Sequence, residues 1–380
     1  MADPAKKPFA IGWEGAIFLA LLVYPLFPVF ERGFFAVTSR SLGEQLPLVF
    51  IFALLAYGLN VVVGYTGLLH LGIAAFFAVG AYVAGIFTVA AYPFGWSFFV
   101  VLPLGTLAAA GLGLLLGAPT LRLRGDYLAL VTLGFGEVTK FTLRNVEGIT
   151  AGTRGLSPIP PPTDHAVWAD DYRPFYYLTL GVLILAALVL RNLERSRLGR
   201  AWIALREDEL AANCMGLNPN KLKLAAFALG AGLAGLAGVL YATRLTSTAD
   251  PNAYDFNRSI FMVCCLILGG LGNRLGALVG VILLVGFDNI LTPIIDGYIQ
   301  QAFPNAGGKI YLTFTGWRLA LFGLALILMM RFRPEGIIPS SRVKHELHPD
   351  EVVGDAVDPI TMGRTTGEVA SLNGRTGGQA

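Results

Sequence analysis

Apolar residues in this chain gather into long runs, separated by short polar stretches. The runs lie at about 13–30, 46–63, 70–90, 97–118, 127–143, 175–191, 222–241, 258–272, 276–296 and 314–331. A helix needs about 20 mainly apolar residues to cross a bilayer, within a range of about 17–25. The pattern predicts an all-α, polytopic membrane fold of about ten transmembrane helices. The runs at 127–143 and 258–272 are short. Tilted, re-entrant or broken helices would accommodate them, so eight or nine full crossings stay open.

The stretches between the runs differ in kind. Residues 147–174 are rich in Pro and Gly, and 247–258 are polar; neither is long enough for a separate domain. Residues 340–380 are polar and poor in aromatics, a composition that predicts a disordered tail behind a membrane domain over 1–339.

Composition agrees. Hydrophobic residues make up 55% of the 380 and charged residues 14%, against roughly a quarter charged in soluble domains. A net charge of +3 is too small to suggest a nucleic-acid partner. Cys214, Cys264 and Cys265 imply no disulfide framework. His70, His165, His345 and His348 have no metal-ligand spacing. Lys6 and Lys7 precede the first apolar run in the manner of a signal peptide. No small-residue cleavage site follows, so the run reads as a first helix that stays.

Placing the N-terminus in the cytoplasm and counting ten crossings returns the C-terminus to the same side. Most basic residues then fall in the cytoplasm, including Lys6, Lys7, Arg191, Arg195, Arg197, Arg200 and Arg206. That satisfies the positive-inside rule. It places 147–174 and 242–257 outside and 191–221 inside.

Catalytic signatures are missing. No GxxxxGK with a following hydroxyl residue occurs, so this chain lacks the cradle needed to hydrolyse ATP itself. No GxSxG elbow, HExxH helix or paired-carboxylate arrangement is present either. The expectation is a protein that is no enzyme and binds neither cofactor nor metal.

Candidate translocation residues lie in or beside the runs. The stretches 58–85 and 268–286 concentrate glycines, Gly64 and Gly67 among them. Glycine permits close helix packing and broken-helix geometry, and transporters place interrupted helices in corresponding positions of repeated halves. Glu137 and Lys140 are three residues apart and share a helix face. Charge at the centre of a lipid-facing helix costs roughly 2.5–3.5 kcal/mol on insertion scales. That cost favours an interfacial pair or one lining a pathway. Asp288 and Asn289 divide between the same readings, and His70 reads as a hydrogen-bonded packing residue.

One charged segment stands between two runs. In "RLGRAWIALREDELAANCMGLNP", residues 197–219, Leu198, Trp202, Leu205 and Ala212 fall near one helical face. Arg206, Glu207, Asp208 and Glu209 supply a polar face, and Gly216 with Pro219 ends the helix. Acids match bases here, so attraction to lipid headgroups is weak, and docking into a protein groove is the better reading. Trp202 and Leu205 would be the apolar anchors.

The segment "ELAANCMG" resembles the EAA-type loop of ABC-importer permeases. Ala211, Ala212 and Gly216 match, with Leu210 where the pattern has an acid and Glu209 one place early. Together with "GYTGLLHLGIAAFFAVGAYVAG", "RLRGDYLALVTLGFGE", "LGGLGNRLGALVG" and "RFRPEGIIP", it resembles the M-type permease subunits of branched-chain amino-acid ABC importers, over roughly 45–340. The resemblance implies a second permease subunit, two cytoplasmic ATPase subunits that hydrolyse ATP, and a periplasmic substrate-binding protein. It also implies a place in the bacterial inner membrane. A urea or short-amide permease would look similar, and a secondary transporter or channel without an ATPase is the alternative in another class.

Overall fold

The structure, a computed structural model, describes residues 13–26, 41–120, 126–162, 172–302, 314–333 and 336–338. Every regular element among these is helical and none is a strand. The tail after Pro339 lies outside the described residues. The helices are α1 (Trp13–Val23), α2 (Leu42–Leu59), α3 (Ile73–Thr88), α4 (Phe98–Thr120), α5 (Asp126–Asn145) and α6 (Arg173–Arg195). Then come α7 (Arg197–Glu207), α8 (Glu209–Cys214), α9 (Pro219–Leu245), α10 (Phe256–Gly269), α11 (Arg274–Gly286), α12 (Thr292–Ala302) and α13 (Phe314–Phe332). Two π-helical segments extend the series: Asn60–Tyr65 continues α2, and Phe287–Leu291 joins α11 to α12.

Five stretches are long and apolar enough to cross a membrane: Leu42–Tyr65, Phe98–Thr120, Arg173–Arg195, Pro219–Leu245 and Arg274–Asp296. The predicted run at 127–143 is not short as a helix. It forms the 20-residue α5, which carries Asp126, Glu137, Lys140 and Arg144 and so lacks the hydropathy of the five. The run at 70–90 shortens, to the 16 residues of α3, and among the described residues the run at 13–30 gives the 11-residue α1. Residues before Ile73 leave the helix, with Gly67 at φ +71°, a conformation that costs glycine little. The run at 258–272 is short as expected, giving the 14-residue α10.

α2 is apolar on every side, and its residues from Val49 to Leu59 are all buried. Such a helix belongs at the centre of a bundle. α9 packs against it and against α3 and α4. Small residues set the spacing. A Cβ on Gly58 would lie 2.6 Å from the Gly230 carbonyl oxygen, and one on Gly80 2.0 Å from that of Gly235. Lipid is as apolar as the helices, so association rests on such close van der Waals contact. These glycines pack helices. On the outside, α4, α5 and α6 expose Leu107, Leu115, Leu130, Val138, Leu185 and Leu188, a surface suited to lipid or a partner subunit rather than water.

Hydrogen bonds define two ends of the bundle. At one end the loops predicted to lie outside join each other. Leu156 N donates to Thr248 Oγ1 at 2.8 Å, and Thr248 N donates to the Leu156 carbonyl at 3.0 Å. Tyr254 OH donates to the Thr248 carbonyl at 2.6 Å, and burial pushes that phenol well above its ordinary pKa, so it remains a donor. At the other end Ile337 N and Ile338 N donate to the Leu268 and Gly269 carbonyls. Ile337 and Ile338 thereby close over the turn between α10 and α11.

Candidate functional site

The charged segment folds as two helices, not as the single helix, about 198–215, that the spacing of Leu198, Trp202, Leu205 and Ala212 and the stop at Gly216 predict. Asp208 causes the break. Its backbone is extended (φ −154°, ψ 113°), and its carboxylate accepts hydrogen bonds from Leu210 N at 2.8 Å and Ala211 N at 3.0 Å. It is therefore an N-cap, satisfying donors that the first turn of α8 leaves open. An Asp followed at once by Glu and a short apolar stretch is the signal that identifies it. Gly216 ends α8 at φ +83°, as the sequence implied, and Asn218 then caps α9 with Pro219 at its first position.

The predicted apolar face exists, but it turns inward. Trp202 is 0% exposed, and its Nε1 donates to the Leu222 carbonyl at 2.8 Å. Leu205 and Ala212 are buried as well. Trp202 and Leu205 thus anchor the segment to its own bundle and do not present an outward contact. The reason is the tight turn out of α6: Ser196 caps α7 directly after Arg195, which lays α7 against the foot of α9.

Outward-facing residues are different ones. Leu210 is 65% and Met215 83% exposed, with Glu207, Asp208, Ala211, Cys214 and Gly216 exposed around them. Leu210 and Met215 went unremarked in the sequence as contact residues. Leu210 stands two residues before Ala212, on the other side of α8, and that offset was the available signal for it; Met215 is the residue that follows α8, and its exposure carries no such periodic sign. Glu209 turns back: Lys223 Nζ, itself almost fully buried, binds its Oε1 at 2.8 Å.

Arg206 also turns back, onto the π-helical end of α2. Its Nη1 donates to the Gly64 carbonyl at 2.7 Å. A Cβ on Gly67 would lie 2.9 Å from Arg206 Cγ. Gly272 N donates to Asn60 Oδ1 at 3.0 Å, closing the same group. Beside it, Glu194 at the end of α6 accepts from Arg274 Nε at 2.8 Å and from Tyr65 OH. Arg274 Nη1 reaches the Ala187 carbonyl at 3.2 Å. The feet of α2, α6, α7 and α11 are tied by this polar group. Asn60, Tyr65, Glu194, Gly272 and Arg274 were missed in the sequence. A buried Asn within an apolar run and two opposite charges flanking different runs were the visible signs.

The remaining translocation candidates do not converge. His70 is fully buried, stacked on Phe76 and edge-on to Phe227 with centroids 5.6 and 5.4 Å apart. It packs as expected, yet neither ring nitrogen has a hydrogen-bond partner among the described residues. Aromatic contact, not hydrogen bonding, holds it. Glu137 and Lys140 do pair, at 2.5 Å, with side chains 29% and 15% exposed. The pair is half-buried, intermediate between the two readings of the sequence. Asp288 and Asn289 lie in the second π-helical segment and line a cavity far in sequence from the rest. Among the described residues no group of His, Cys, Asp and Glu has metal-binding geometry.

A family model described as "Branched-chain amino acid transport system / permease component" matches residues 42–330. The high-affinity branched-chain amino acid transport system permease protein LivM of Escherichia coli is 36% identical over 341 residues, covering 83% of this chain and 74% of that protein. The probable branched-chain amino acid transport permease protein LivM of Methanocaldococcus jannaschii is 28% identical over 250 residues, 64% and 70% of the two chains. The autoinducer 2 import system permease protein LsrC of Yersinia pestis is 25% identical over 287 residues, 73% and 77%. No solved structure matches.

Proposed function

The chain belongs to the family of branched-chain amino acid transport system permease components, and on that premise we propose that it is one transmembrane subunit of an ABC importer for leucine, isoleucine, valine or a similar amino acid. It lies in the bacterial inner membrane with both termini in the cytoplasm. The proposal assigns its ten crossings to α1, α2, α3, α4, α5, α6, α9, α10, the α11–α12 unit and α13, of which five stretches are long and apolar enough to cross by length and composition. A second permease subunit completes the pore. Two ATPase subunits bind on the cytoplasmic side, and a periplasmic binding protein delivers substrate to the end where Leu156 meets Thr248. Binding of ATP and its hydrolysis take place in the partners.

The observation that carries this reading is the position of α8. It is a short helix held at the foot of the bundle by buried Trp202, with Leu210 and Met215 directed away from the chain. An exposed Leu–Met pair on an otherwise polar segment is the kind of anchor that protein interfaces use. A secondary transporter would have no occupant for it. Arg206 supplies a route inward. Movement of α7 and α8 under a closing ATPase would pull on the Gly64 carbonyl and hence on the π-helical end of α2. π-Bulges appear frequently at functional sites, and the second such segment, Phe287–Leu291, follows directly on the glycine-rich stretch 268–286.

Co-expression with the partner ATPases, purification, and reconstitution with the binding protein test the reading. It requires ATP-dependent leucine uptake that is lost without the ATPases. Uptake that continues without them contradicts it. Cys214, exposed on α8, should react with a membrane-impermeant thiol reagent only from the cytoplasmic side.

A further inference from the structure

A cavity of about 380 Å³ opens between α2, the start of α10, the π-helical segment Phe287–Leu291 and α13. Ligand pockets commonly fall between about 300 and 1,000 Å³. Its walls combine two kinds of chemistry. Leu48, Phe52, Phe261 and Phe322 make it apolar, while Arg258 and Asp288 bring opposite charges to the same space. It lies at the end of α10 that follows the Thr248–Tyr254 loop, away from Arg206 and α8.

Arg258 is the informative group. Its guanidinium carbon lies 5.0 Å from the centre of the Phe52 ring, and its Nε donates to the Ala253 carbonyl at 3.4 Å. The two terminal nitrogens have no acceptor among the described residues, although these are the pair that binds a carboxylate in fork geometry. Asp255 also lines the cavity, as the N-cap of α10 that accepts from Arg258 N and from Asn257 Nδ2. Asp288 enters from the opposite element, where Asn289 Nδ2 holds the π-helical turn by donating to the Val285 carbonyl at 2.9 Å. Ionisable side chains within membrane-spanning elements are costly and mark substrate pathways.

Building on the importer reading above, we infer that this cavity is a binding site for a zwitterionic amino acid with an apolar side chain. Arg258 takes the α-carboxylate, Asp288 takes the α-ammonium, and Phe52, Leu48, Phe261 and Phe322 surround the side chain. A ligand of this type brings equal and opposite charges on one carbon, so it matches the two side chains without leaving net charge buried. A neutral amide such as urea brings the Arg258 fork one carbonyl oxygen and no negative charge, and leaves the apolar wall uncovered.

Photolabelling of the purified importer complex with a diazirine analogue of leucine tests the site. Label should fall on peptides containing Phe52 or Phe261. Excess leucine should compete, and isopentylamine, which lacks the carboxylate, should not. Arg258→Gln should reduce labelling about tenfold or more, since a charge-assisted bidentate contact is lost, and Arg258→Lys should retain part of it. Leu48→Trp, which fills the cavity, should abolish labelling in a complex that still assembles. Label elsewhere, or label indifferent to both Arg258→Gln and Leu48→Trp, overturns the assignment. ATP-driven uptake with no label in the cavity removes the site and leaves the importer reading standing. Label in the cavity of a complex that shows no ATP-driven uptake does the reverse.

Discussion

Arg206 Nη1 donates to the carbonyl oxygen of Gly64 at 2.7 Å, across 142 positions of sequence. One residue belongs to the charged segment between two membrane helices, and the other to the π-helical end of the central helix α2. The glycine is required on two counts. Its backbone oxygen must be reachable, and a Cβ there would lie 2.0 Å from Asn60 Oδ1. A charge-assisted bond of this kind is worth roughly 1.5–3 kcal/mol, enough to make the two elements move together.

Trp202 is an anchor of the fold. Trp202→Ala removes a fully buried ring and should lower stability by about 3–5 kcal/mol. Trp202→Phe keeps most of the packing and gives up the bond to the Leu222 carbonyl, a loss of about 1 kcal/mol. Thermal unfolding of the detergent-solubilised protein, followed by fluorescence-detected size exclusion, should rank parent, Phe and Ala in that order. Equal midpoints for all three would mean that the α7–α9 contact contributes nothing.

Leu210 and Met215 should bind the ATPase partner. Replacing both with Glu places two charges at an apolar contact without touching the buried side of α8. Expression, insertion and thermal stability should match the parent, while co-purification of the ATPase falls at least tenfold, as loss of about 1.4 kcal/mol or more implies. Undiminished co-purification would assign the docking surface elsewhere.

Glu137 and Lys140 should show modest coupling. Their exposure leaves them partly screened, so a double-mutant cycle with Glu137→Gln and Lys140→Met on thermal stability should give about 0.2–1 kcal/mol. Coupling of 3 kcal/mol or more would mean that a partner subunit buries the pair completely.

Much of this architecture is legible in the sequence because lipid imposes a simple rule: long apolar runs become helices, and their length is fixed by the bilayer. Runs at 46–63 and 222–241 become α2 and α9 with little displacement. Legibility falls where a single side chain overrides periodicity. Asp208 looks like one more charge on a polar face until its carboxylate is seen capping α8. Trp202 looks like an interface anchor because amphipathicity says which face is apolar and not what covers it. Asn60, Glu194 and Arg274 are far apart in the chain, and only the fold brings them together. The glycines of 58–85 and 268–286 had two readings, and the approach of Gly58 to Gly230 favours packing.

The connection from Arg206 to Gly64 is the step on which the transport account depends, and the ratio of ATP hydrolysed to leucine transported measures it directly. Arg206→Gln, reconstituted with both ATPases, the second permease and the binding protein, should still assemble and hydrolyse ATP. Its leucine uptake should fall about tenfold or more, so that the ratio rises correspondingly, because movement of α8 no longer reaches α2. A variant that assembles and transports with the parent's ratio would contradict the account.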